Sequence, residues 1–306
     1  MRGLPAILLA LLPLPALADV PAAPPAGWSE GWSTWQALPL VALFATHVAG
    51  ARRQWVASRR GRATLLRRAA FFGAAWLALA VAVVSPLDAW AGLLFSVHMV
   101  QHLLLVLVAA PLLVLARPAA ALLRGLPRFA RRPAARLLRL APFRLAVRPL
   151  PALAIHGGAV WIWHAPALYE RALQRDLLHA LEHGSFVLSG VVFFEAIRRA
   201  GLPGGMGHGA AVLFVFAAAT QATILGALLT FAPEPLYATH AAGAVALGIH
   251  PLEDQQLAGL LMWVPGNAVY VVLALVLLRA FLLAAERRTL QRELATAALR
   301  HVGRKR

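Results

Sequence analysis

Long apolar runs separated by short, arginine-bearing connections dominate the chain. A helix needs about 20 such residues to cross the roughly 30 Å hydrocarbon core of a bilayer. Seven segments can be delimited on this criterion, at residues 36–51, 69–86, 90–116, 150–166, 177–197, 210–231 and 255–281. The pattern predicts an all-α integral membrane protein built as a bundle of seven transmembrane helices, with no internal repeat and no separate soluble domain.

Ahead of them, Arg2 precedes an apolar stretch from Leu4 to Leu17 that contains Pro5, Pro13 and Pro15 and ends in Ala16-Leu17-Ala18 before Asp19. About 14 apolar residues with three prolines are short for a span, and the small residues suit a cleavage site. Residues 1–18 therefore read as a cleavable signal peptide, the alternative being an uncleaved first helix. On this division residues 19–35 form a Pro- and Trp-rich periplasmic segment, 36–286 the transmembrane domain and 287–306 a basic cytoplasmic tail.

Charge fixes the expected sidedness. There are 29 Lys and Arg against 12 Asp and Glu, a formal balance of +17. On a soluble chain this excess would point to nucleic acid; with 60% hydrophobic residues it reports topology instead, because cationic loops stay cytoplasmic. Alternate connections at 52–68, 117–148 and 198–199, together with the chain from 279 onward, hold 26 of the 29 cations. The predicted orientation is N-terminus out and C-terminus in, in an inner-membrane-like bilayer. The loop from Arg117 to Arg148 has nine arginines, no acid and interleaved leucines, as in Arg136-Leu137-Leu138-Arg139-Leu140, and is predicted to lie on anionic lipid.

The chain has no cysteine, so disulfides, thiolate metal sites and Cys nucleophiles are all excluded. It has eleven histidines, and four of them form two i, i+4 pairs inside apolar segments, His98 with His102 and His179 with His183. That spacing puts both imidazoles of a pair on one helix face. Such groups are costly in hydrocarbon, which marks them as functional candidates.

Counting about 20 residues from the arginine-pinned inner ends estimates the depth of each. His98 and His102 fall at the outer interface and one turn below it, His179 and His183 at the same two depths, and His164 one turn below the outer boundary of its own segment. Met262 reaches this level in the last segment, with Glu253 and Asp254 just above it. The proposed metal set is therefore His98, His102, His164, His179, His183, Met262 and Asp254. His47 and His156 count to the inner half, and His208 and His301 to the cytoplasmic side. His240 and His250 lie in the outer loop, where they could guard or feed a site, and read first as solvated loop residues.

An imidazole set without thiolate and facing the periplasm suits copper. Three functional classes remain open at this point: a copper-handling protein, a bis-histidine haem-binding electron carrier, and a membrane metalloenzyme. The last rests on His179-Ala180-Leu181-Glu182-His183, which matches the short H-x-x-E-H zinc-peptidase pattern. Glu182 has the alternative role of orienting a ligating imidazole.

Several ordered motifs resemble one family. Ser96-Val97-His98-Met99-Val100-Gln101-His102-Leu103-Leu104-Leu105 followed by Ala109-Ala110-Pro111-Leu112, then Trp163-His164-Ala165-Pro166 with Tyr169, then His179-Ala180-Leu181-Glu182-His183, and finally Asp254-Gln255-Gln256-Leu257-Ala258-Gly259-Leu260-Leu261-Met262-Trp263, are similar to the CtaG family of caa3-type cytochrome c oxidase assembly factors. The resemblance implies a non-enzymatic bacterial membrane protein that helps to form active haem-copper oxidase. Copper delivery is the role it favours, with oxidase subunits and a periplasmic copper donor as partners.

Overall fold

A computed structural model describes residues 34–58 and 60–303 of the chain. The expected signal peptide, and all but two residues of the segment after it, lie outside the described residues. Among the described residues the structure is helical throughout, without strands.

All seven predicted segments are helical. In chain order α1 is Thr34–Ala57, α2 Arg62–Val83, α3 Pro86–Ala91, α4 Phe95–Ala116, α5 Ala119–Gly125, α6 Arg128–Leu137, α7 Ala141–Ala146, α8 Pro149–Trp163, α9 Pro166–Leu173, α10 Asp176–Arg198, α11 His208–Thr230, α12 Ala241–Ala246 and α13 Pro251–Gly303. Five of these, α2, α4, α10, α11 and α13, are long and apolar enough to cross a bilayer. Of the other two expected spans, α1 carries Arg52 and Arg53 in its last turns, and α8 has 15 residues. At 1.5 Å per residue α8 is about 22 Å long, less than the hydrocarbon core. Exposed apolar side chains such as Leu213, Phe216, Val272 and Leu275 stud the helices, a surface that suits lipid better than water.

Two predicted segments are shorter than expected, for local reasons. The segment drawn as 90–116 starts only at Phe95, because Ser85 caps a separate helix, its Oγ accepting from Leu87 N at 3.2 Å with Pro86 at the first helical position. That helix ends at Ala91, and Leu94 is extended. The segment drawn as 150–166 stops at Trp163, because Pro166 forces Ala165 into the extended region and starts α9.

Within α4, residues Leu104–Ala109 wind as a π-helix between two α-helical halves. The buried positions come in stripes at steps of four, His98, His102, Val106 and Ala110 on one line and Gln101, Leu105 and Ala109 on another. The first line faces α10, where Ala110 meets Gly190, and the second faces α2, where Gln101 Nε2 donates to Ala82 O at 2.6 Å.

Small residues set the closest crossings. A Cβ on Gly259 of α13 would stand 2.7 Å from Gly226 O and 2.4 Å from Thr230 Oγ1 of α11, so these helices touch backbone to backbone. Gly50 of α1 and Gly125 of α5 do the same, folding the start of the arginine-rich loop back onto α1. The largest core cluster lies among α10, α11 and α13, around Phe193, Phe214, Val215 and Tyr270. It leaves the other ends of α4 and α10 to form the site.

Candidate metal centre

The site begins with how α4 starts. A helix N-terminus presents backbone N–H groups without intrahelical partners. Here Phe95 N donates to one carboxylate oxygen of Asp254 at 2.6 Å and Ser96 N to the other at 3.1 Å, and Ser96 Oγ also bonds it. Asp254 belongs to the first turn of α13, 158 residues further on, so this contact seats α4 against α13 and fixes where its first turn points.

One turn on, His98 and His102 follow each other along α4 with ring centroids 4.3 Å apart, edge to face, and His179 and His183 do so on α10 at 4.2 Å with tilted rings. The two helices bring the pairs face to face. His98 lies 5.4 Å from His179 and 5.9 Å from His183, and His102 lies 5.6 Å from His183. His164, the C-terminal cap of α8, closes a third side at 5.8 Å from His102. Phe186 lies below, 4.5 Å from His102. His98, His102, His164 and His183 are buried, and His179 is half-buried.

Two ligand sets stand out. One nitrogen each of His98, His102 and His183 lie within 4.8 Å of one another, and so do ligand atoms of His98, His179 and Glu182. Glu182 is fully buried, with Oε1 3.4 Å from His102 Nε2.

The protein itself does not satisfy these groups. Eight buried side-chain atoms of the cluster have no hydrogen-bond partner, two each on His98, His102 and Glu182 and one each on His179 and His183. An orphaned buried polar atom costs about 1–3 kcal/mol. Glu182 Oε1 and His102 Nε2 face each other at 3.4 Å, and the other six together would rival the roughly 5–15 kcal/mol by which a whole domain is stable. Imidazole nitrogens and carboxylate oxygens are the donor atoms of borderline transition metals, so the residues present fit such an ion.

The other expected ligands stand apart. Both oxygens of Asp254 are engaged in capping α4, and Met262 packs against the apolar group of Phe95, Met99 and Tyr169. His47 stacks on Phe72, and His156 contacts Ser189 at 3.3 Å and Tyr270 at 3.4 Å, both away from the cluster as their depth implied.

The reading of His240 as a solvated loop residue is corrected. It is buried, its ring lies 5.9 Å from His98, and its Nε2 meets the Tyr169 hydroxyl at 2.7 Å. Burial pushes its pKa down to about 4 and pushes the Tyr169 hydroxyl well up, so both stay neutral and the ring nitrogen accepts a hydrogen bond from the tyrosine hydroxyl. The loop folds onto the cluster here, where Thr239 N donates to Glu170 of α9 at 3.2 Å and Tyr237 donates to His164 O at 2.8 Å. His250 is exposed, as expected. Periodicity gives no signal for His240; its spacing of three from Tyr237 was the available hint.

Apolar helices of spanning length around a buried imidazole cluster define a membrane protein with a candidate transition-metal centre in its helix bundle. The chain belongs to the cytochrome c oxidase caa3 assembly factor family, whose profile matches residues 42–283. No curated protein and no solved structure gives a significant match. The family's role is oxidase assembly, and the expected association is with cytochrome oxidase.

Proposed function

We propose that this assembly factor binds copper as cargo in the histidine cluster and passes it to a haem-copper oxidase subunit docked in the membrane. The observation that carries the proposal is the convergence of unpartnered imidazole nitrogens and carboxylate oxygens on His98, His102, His179, Glu182 and His183, each residue offering one ligand atom. Half-buried His179 gives the cluster an edge from which an ion can be exchanged. A single ion suits the crowding better than haem. A porphyrin clamped between two imidazoles needs a flat slot, and His98 is ringed by Tyr169, His102, His179, His183 and His240 at 4.3–5.9 Å.

The proposal includes seven spans after a cleaved signal peptide, with the N-terminus out, so that the cluster faces the periplasm and takes copper from a donor there. The charge asymmetry of the loops supports this orientation. On α6, Phe129 is 80% exposed among Arg128, Arg131 and Arg132, a combination suited to an anionic lipid interface. Catalysis is not part of the reading. Glu182 orients His102 and offsets the charge of the ion rather than activating water.

Metal analysis of the purified protein beside the double variant His98→Ala, His179→Ala tests the site. The wild type should retain copper and the variant should lose it; unchanged copper binding would sink the proposal. A Soret band in the wild type would replace it with the haem reading.

A further inference from the structure

Beside the all-imidazole part of the cluster, His164 Nε2 stands 3.4 Å from the sulfur of Met99. On the other side of the same ring, Nδ1 lies 2.7 Å from Val160 O. A carbonyl only accepts, so in the neutral ring Nδ1 carries the hydrogen and Nε2 a lone pair. The thioether sulfur has no hydrogen to offer either. Two electron-pair donors thus face each other in a buried place, with no proton between them.

Both are held there. Met99 is fully buried among Phe95, Tyr169 and Leu229, and the backbone oxygen of His164 accepts from Tyr237 at 2.8 Å. His102, whose Nε2 stands 3.4 Å from Glu182 Oε1 and whose Nδ1 is unpartnered, lies beside them with its ring 5.8 Å from that of His164. A thioether and two neutral imidazoles form a soft, uncharged donor set. Such a set selects a soft univalent ion over zinc or cupric ion. A single positive charge is also cheaper to bury than two.

We infer that Met99 Sδ and His164 Nε2, with a nitrogen of His102, form a thioether–imidazole site for cuprous ion, so that the cargo is handled in its reduced state. The inference rests on the copper-handling reading and deepens it. The unbranched thioether also fills space as leucine does, which makes Met99→Leu a replacement that removes the donor and keeps the packing.

The test is X-ray absorption at the copper edge on the full-length protein loaded anaerobically with Cu(I), for wild type, Met99→Leu and Met262→Leu. A sulfur shell is expected in wild type and Met262→Leu and absent from Met99→Leu, with the nitrogen shell retained in all three. Competition with a chromophoric Cu(I) chelator should show at least tenfold weaker Cu(I) binding in Met99→Leu, with zinc binding unchanged. A nitrogen-only shell in the wild type, or a sulfur shell that survives Met99→Leu, overturns the inference while leaving the copper reading intact. No bound copper in any form overturns that reading instead. Should Met99→Leu fail to fold, selenomethionine-labelled wild type and Met262→Leu carry the same test, a selenium–copper path being expected in both and its absence being the refuting result.

Discussion

Replacing Asp254 by alanine separates a cap from a ligand. Its carboxylate receives the backbone N–H groups of Phe95 and Ser96 and the Ser96 hydroxyl, and all three residues are buried. Alanine leaves two N–H donors orphaned at about 1–3 kcal/mol each, and removes an anion from a helix N-terminus, worth a further 0.3–1 kcal/mol or so. The expected loss is roughly 2–7 kcal/mol, enough to lower the unfolding midpoint in detergent markedly. Asparagine keeps one acceptor oxygen and should lose about half as much. Copper per folded molecule, measured on Asp254→Asn, should stay at the wild-type value. An Asp254→Asn protein as stable as wild type but free of copper would refute the assignment and make Asp254 a ligand.

Three further outcomes are expected. Glu182→Gln should weaken metal binding about 10–100-fold, the usual effect of losing a group that orients a ligating histidine, without changing stoichiometry in a metal titration. Gly259→Ala, which puts a methyl within 2.7 Å of Gly226 O and 2.4 Å of Thr230 Oγ1, should destabilise by about 1–3 kcal/mol in denaturant unfolding, and no loss would mean that α11 and α13 are not in backbone contact. Burial holds His240 near 4 against 6.5 for a free imidazole, so below pH 6.5 the unfolded chain binds a proton that the native chain refuses. Stability from this residue is full above pH 6.5 and falls between 6.5 and 4 by up to about 3 kcal/mol; His240→Gln should flatten that limb in unfolding measured against pH.

The helices, and the layer of five histidines, were legible because both rest on regularities along one strand of sequence. Apolar run length marks a helix, and an arginine at its inner end turns residue number into depth. That is why His98, His102, His164, His179 and His183, from three helices, were expected at one level and are found ring against ring. What depth counting cannot supply is direction across the bundle. Asp254 stands at the expected height, but its carboxylate points at the first turn of α4, a partner fixed only when α4 and α13 pack. Met99 was hidden as one more apolar residue in an apolar run, since only its contact with His164 gives its sulfur a chemical meaning. His240 was misjudged because a loop has no period; the bonds that draw it inward come from α9 and the end of α8.

The π-helical segment of α4 gives the two histidine pairs their alignment with everything beneath them. In a regular α-helix, residues four apart drift about 40° around the axis, so a line from His98 through His102 and Val106 to Ala110 would wander through about 120°. Widening the turns over Leu104–Ala109 absorbs that drift and keeps the line straight against α10. The segment thus works like a key change in the middle of the helix. The wide turns therefore hold one residue more than the alignment needs: deleting one within them would leave eleven α-helical steps of about 100° from His98 to Ala110, about 20° past three full turns, and the imidazoles of α4 should still face those of α10.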